Sequence, residues 1–264
     1  MSLKISVFLI IVLSVVLFQN SSFCQSFGFG CLGFVGSYGG YSYQKFNAPG
    51  LNNYVKDFNQ TYKGSLSSPM ENFGTETGYR VGINFFRANI RGFILTTKGF
   101  YQSLTEKNSA TINYFTASPI SGNANTSNSN AIFELDLKSY GLGIDLGTSI
   151  TNALSWKVVD AALLYNMATF TDTRNSPGAA TEVLNYNNEK YILGYTVGTG
   201  FILEIIDQYI SLEGVAGYTA FSVDRLKSSN GPMPLTQNSP QPMSNFIESG
   251  GFNAVVQLNI GFPL

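Results

Sequence analysis

Histidine is absent from this chain of 264 residues. With it goes the side chain that most often serves as acid, base or metal ligand near neutral pH. Charge is also scarce: Asp, Glu, Lys and Arg make up 12% of the residues, whereas soluble domains carry roughly 25% because water must solvate their surface. That leaves too few charges for an ordinary soluble surface. Positive charge is not in excess, with 15 Lys and Arg against 16 Asp and Glu, and no basic stripe marks a nucleic-acid partner. Only Cys24 and Cys31 are cysteines, and the carboxylates lack EF-hand spacing, so no metal site is expected. The glycines of "FGFGCLGFVG" (27–36) are not in the order of a dinucleotide loop, and "GTSIT" (147–151) makes no nucleophile elbow. Neither a cofactor nor a catalytic residue follows from them.

Long apolar runs are missing too, apart from one at the start. Lys4, then the apolar stretch 5–18 and the polar tail 19–24, read as an export signal. The apolar stretch falls short of the ~20 residues that a membrane-spanning helix needs. "SFC" before Gln25 fits a small-x-small cleavage site, which sets residues 1–24 as the signal and 25–264 as one mature domain. Phe23 stands where a lipoprotein signal wants a small residue, so Cys24 is not expected to be lipidated. Removal of Cys24 would leave Cys31 without an intramolecular partner. Beyond Gln25 no apolar run approaches the length of a spanning helix, and a helical membrane protein is excluded. A mature chain seated in a membrane must then be a closed barrel.

What is present suits that alternative. Aromatics reach 14% and glycine numbers 27, a mix that favours strands and tight turns. Period-two alternation predicts eight strands, at about 27–38, 75–86, 90–105, 131–147, 156–171, 190–204, 209–223 and 252–264. In the fourth, Phe133, Leu135 and Leu137 have the opposite phase to Tyr140, Leu142, Ile144 and Leu146. A one-residue bulge near Ser139 would reconcile the two halves. In the last, Phe252, Ala254, Val256, Leu258 and Ile260 alternate with Asn253, Gln257 and Asn259. The connections are alternately long (39–74, 106–130, 172–189, 224–245) and short (87–89, 148–155, 205–208). This predicts an all-β, antiparallel up-and-down transmembrane barrel of eight strands, ten being the alternative count, with long extracellular loops and short periplasmic turns.

Glycine-aromatic strands such as "SYGLGIDLG" (139–147) and "GYTVGTGF" (194–201), with the signal and the C-terminal strand, carry a resemblance. The chain resembles eight-stranded bacterial outer-membrane barrels of the OmpA/OmpX type, in the style of Bacteroidetes outer-membrane barrel families. It departs from them at Pro263 and Leu264, where an assembly signal would end on an aromatic residue. The resemblance implies a monomer in the outer membrane of a Gram-negative bacterium, with lipid as its partner. It also implies a non-enzymatic role: contact with an extracellular ligand or protein through the loops, or envelope integrity. Known barrel enzymes of this membrane rely on histidine, which this chain lacks. The alternatives are a small channel for small or apolar solutes and a secreted lipocalin-like barrel.

The strand phases place Arg80, Lys98, Asp145, Asp160, Glu204 and Glu213 in the lumen, where they are expected to pair as a polar core, with a narrow ion path as the functional alternative. In the first long loop Leu51, Tyr54, Val55, Phe58 and Tyr62 recur at helical spacing. They predict a short amphipathic helix over 51–62 that covers the mouth, lies on the membrane or meets a partner. The run "SGNANTSNSNA" (121–131) reads as a loop tip.

Overall fold

The computed structural model describes residues 35–117, 124–176, 180–188, 190–207, 209–228 and 245–261. The predicted signal (1–24), Gln25, Cys31, the 27–34 part of the predicted first strand, 121–123 and 262–264 lie outside the described residues. In chain order the elements are β1 (Gly36–Asn47), α1 (Pro49–Thr61), β2 (Thr75–Ile90), β3 (Phe93–Ala117), β4 (Ala124–Ser149) and β5 (Leu154–Asn175). There follow β6 (Glu182–Asn187), β7 (Ile192–Ile206), β8 (Ile210–Ala220), β9 (Lys227–Ser228) and β10 (Ser249–Gly261). Eight of these strands form a closed antiparallel barrel, running β1 to β5, then β7, β8 and β10, which pairs back onto β1. Closure leaves no sheet edge within the ring. The two extra strands sit at the long-loop end, β6 on the upper part of β5 and β9 on β6.

Side chains alternate across each strand, so each residue's side of the wall follows from its position. In the lower half the outward residues are apolar: Leu142, Leu163 and Leu193 are each about two-thirds exposed. The inward ones there are mostly small or polar, with Tyr38, Phe100 and Leu164 as large exceptions. In the upper half the preference reverses. On β4, Lys138, Asp136 and Glu134 face out while Leu137, Leu135 and Phe133 are completely or almost completely buried inside. β4 holds one continuous register against β3 throughout and against β5 from Asn130 to Leu146, so the bulge expected near Ser139 is absent. The strand keeps its facing, and its surroundings change instead.

Other boundaries differ from the pattern-based expectation. The first strand runs on to Asn47, through residues that read as loop because its inward face (Tyr38, Ser42, Gln44, Phe46) mixes polar and apolar groups. The first tight turn falls at Arg91 and Gly92, not 87–89. Both have positive φ, 51° and 87°, as a two-residue type I′ hairpin requires. A bulge between Asn84 and Phe86 absorbs the offset. The Asn/Ser/Thr run from Ala124 on belongs to β4, which pairs with β3 as far as Ala117 and Ala124. These backbone hydrogen bonds outweigh the weak strand preference of the side chains.

The reversal of facing predicts a matching pattern of stability. Phe133→Ala should cost about 3–5 kcal/mol, and Lys138→Ala, five residues along the same strand, less than about 0.5 kcal/mol. Denaturant unfolding of the refolded variants measures both, and equal costs would mean the facing is misassigned.

Candidate functional site

The lower lumen holds a charge cage. Lys157 Nζ stands 3.0 Å from Asp145 Oδ2 and 3.2 Å from Asp160 Oδ2, and donates to Glu213 Oε1. Lys98 donates to Asp160 and lies 3.9 Å from Asp145. Asn259 Nδ2 donates to the second Glu213 oxygen at 3.0 Å. Arg80 has no ion pair among the described residues; its Nε and Nη2 donate to Gln102 Oε1 at 2.8 and 2.6 Å, and its guanidinium lies 4.3 Å from the centre of the Phe100 ring. Gln102 Oε1 also accepts from Ser42 Oγ at 3.0 Å. Three cations (Arg80, Lys98, Lys157) thus face three carboxylates (Asp145, Asp160, Glu213), and all six are buried. Neutrality of this kind is what a low-dielectric interior demands, since an unpaired buried charge is costly.

Four of the six expected lumen residues (Lys98, Asp145, Asp160 and Glu213) therefore meet in one ion-pair network, while Arg80 is buried in the same lumen on Gln102 and Glu204 stands apart. Glu204 points inward but sits half-buried at the short-turn end, beside a register shift between Glu204 and Ile206, outside the cage. Lys157, the cation at the centre, was missed. Strict alternation would turn it away from Asp160, three residues on. A register shift between Lys157 and Asp160 places both inside, as a bulge does. The signal for it was a lysine between Trp156 and Val159 in an otherwise apolar outward row.

Aromatic rings fill the space around the cage. Tyr38 packs against Gly82 and Phe100 against Gly141, so closely that a Cβ at either glycine would stand 2.3 or 2.1 Å from the ring. Ala162 and Leu164 complete this small apolar cluster. The lumen is filled by side chains.

Above the cage the barrel is stoppered by an apolar plug whose centre is α1. Leu51, Tyr54, Val55 and Phe58 are buried in it, and Tyr62, at the end of the helix, packs against it half-buried. The helical face expected from spacing is thus the inner face of a stopper. Tyr54, Phe58, Phe133 and Phe170 stack with ring centres 5.1–5.8 Å apart. Two asparagines clamp the return segment to the helix. Asn52 bonds both the N–H and the C=O of Phe73, and Asn59 does the same for Met70, at 2.8–2.9 Å. Tyr54 Oη donates to Asp172 Oδ2 at 2.6 Å, and Arg174 grips the same carboxylate at 2.8–3.2 Å. Burial, and then the Asp172 charge, push the Tyr54 hydroxyl far above its usual range, so it keeps its proton and donates.

Among the described residues no group of three His, Cys, Asp or Glu is placed to hold a metal ion. Against known proteins, no family model matches the chain and no curated protein matches it. The functional reading rests on this geometry.

The cage should respond strongly to loss of its centre. Lys157→Met leaves Glu213 without its ion pair and should destabilise the barrel by about 3–5 kcal/mol. Lys157→Met combined with Glu213→Gln should recover much of that loss. Urea unfolding of the three proteins in one detergent tests it, and a neutral single variant would contradict the cage.

Proposed function

We propose that the protein is a non-enzymatic outer-membrane barrel that acts through its extracellular end, in adhesion or partner contact or in envelope integrity. One observation carries this reading: the apolar band around the outside of the lower barrel, bounded above and below by aromatic side chains. The upper ring runs through paired residues, Tyr41 with Tyr79, Tyr101 with Tyr140, Tyr140 with Tyr165, and Phe252 with Tyr218. The lower ring contains Phe93, Trp156, Phe201 and Tyr209, all exposed. Aromatic girdles of this kind sit at the two membrane–water interfaces. On β5 the rings are nine residues apart, Trp156 to Tyr165. The bulge takes up one of these, since Trp156 pairs with Thr148 and Tyr165 with Tyr140; at about 3.3 Å per rung and a tilt of about 40°, the remaining steps span about 20 Å, against the ~25 Å band of outer-membrane barrels. Among the described residues no helix is long and apolar enough to cross a membrane.

The upper, polar-surfaced part then stands in water outside the cell. β3 and β4 stay paired beyond the last β4–β5 pair at Asn130 and Asn175 as a ribbon, whose β3 edge is bonded at Thr111 and Asn113 by Ser67 and Ser65. The outer face of α1, with Asn53, Lys56, Gln60, Lys63 and Asn72, borders a shallow groove. Ribbon and groove are the surfaces open to a partner. The filled lumen and stoppered mouth argue against passage of small solutes. In the lower barrel the polar cage inside and the apolar band outside are the reverse of a lipocalin-like carrier.

The protein should fractionate with membranes, require detergent for extraction and migrate differently on gels before and after heating. Recovery of a detergent-free soluble monomer would refute the membrane reading. Leu258→Arg, on the outward face of β10, should cost about 2–4 kcal/mol on refolding into lipid vesicles, whereas an unchanged unfolding curve would move the band away from lipid.

A further inference from the structure

Glu76 is completely buried, and neither of its carboxylate oxygens has a hydrogen-bond partner among the described residues. Buried polar groups are nearly always satisfied, and an orphaned charge is the costliest exception. Its cross-strand neighbour is Gln44, also buried, whose Nε2 is likewise without a partner. Two unsatisfied groups thus sit side by side on the inner wall, close enough for cross-strand contact.

Their level in the barrel is specific. They lie above the Tyr41–Tyr79 ring, where the polar lumen gives way to the plug. Ser42, bonded to Gln102, is one inward step below Gln44, and Phe46 of the plug is one step above. Leu104, also of the plug, faces Gly78 beside Glu76.

Among the described residues no cation is paired with Glu76. The charges that reach Glu76 are those of Glu106 on β3 and Asp136 on β4, both negative. β1 presents the neutral Gln44, and Arg80, the nearer of the two arginines of its own strand, is bound to Gln102. Glu106 accepts the N–H groups of Gly74 and Thr75 at 2.9 Å, which holds the start of β2 beneath the return segment. Burial first, and then the two neighbouring carboxylates, hold the Glu76 carboxyl well above the usual range.

We propose that Glu76 and Gln44 form a proton-binding latch under the plug, which closes the mouth when Glu76 carries its proton and releases α1 when it does not. The protonated acid donates to Gln44 Oε1 and accepts from Nε2, which satisfies both groups. Loss of the proton to solvent leaves a carboxylate among carboxylates; water enters, and the plug loosens around it. The closed plug holds a proton that the opened one gives up, so closure is strongest in acid. It weakens about tenfold per pH unit as pH climbs from the ordinary Glu value of about 4.3 toward the raised one, and levels off above that. The inference concerns the upper barrel and does not depend on the lower band lying in lipid.

Hydrogen exchange of the α1 amides, corrected for the intrinsic effect of pH and followed from about pH 5 to about pH 8, tests the latch. In the wild-type protein, protection of α1 should fall about tenfold per unit over part of this range while β8 keeps its own. Glu76→Gln should make α1 protection independent of pH. Infrared spectra at about pH 5 should show a protonated-carboxyl band in the wild-type protein that is weaker in Glu76→Gln. Flat α1 protection in the wild type, an equal fall in the variant, or identical carboxyl bands in the two proteins would each overturn the proposal. Should the variant fail to fold, the wild-type exchange measurement decides alone.

Discussion

A closed antiparallel sheet gives each strand two sides and, while the register is continuous, no way to exchange them. Everything else in this protein follows from that constraint. β4 carries Phe133, Leu135, Leu137, Ser139 and Asp145 on one inner wall and Glu134, Asp136, Lys138, Leu142 and Ile144 on the outer one. Since the wall cannot flip, the change from oily inside to oily outside must be a change in what lies on either side. Inside, an apolar plug gives way to a charge cage. Outside, a polar surface gives way to an apolar band bounded by aromatic rings.

Where side chains depart from alternation, the backbone shows why. The bulge between Lys157 and Asp160 brings a cation and an anion, three residues apart, to the same side. Lys157 then reaches carboxylates from β4, β5 and β8 together, tying distant staves through one ammonium group. That arrangement stiffens the barrel and fills its bore. A narrow eight-stranded ring has space for side chains and little else, and here Tyr38 and Phe100 occupy what the ions leave.

The plug depends on the same wall. α1 offers an apolar stripe that no isolated 13-residue helix could keep folded in water. It is held because the upper barrel turns Phe133, Leu135 and Phe170 inward to meet it, and because Asn52 and Asn59 bind the backbone that returns to β2. The mouth is closed by tertiary packing, and the Glu76 and Gln44 pair lies at its floor, where polar and apolar interiors meet.

Much of this was legible from residue order, because period-two alternation is a local property. The strand-rich, charge-poor composition, the alternating long and short connections, the faces of β10 and the helical stripe of Leu51, Tyr54, Val55 and Phe58 were all readable. So was the inward facing of Arg80, Lys98, Asp145, Asp160 and Glu213. The inclusion of Lys157, the exclusion of Glu204, the constant facing of β4 and the extension of β1 to Asn47 were not. Each turns on which residues stand opposite one another, and register is set between strands far apart in the chain. Local order therefore specified the alternation and the class of fold. The meeting of particular charges in the lumen, and of α1 with its plug, came from long-range pairing and the loss of water that closure brings.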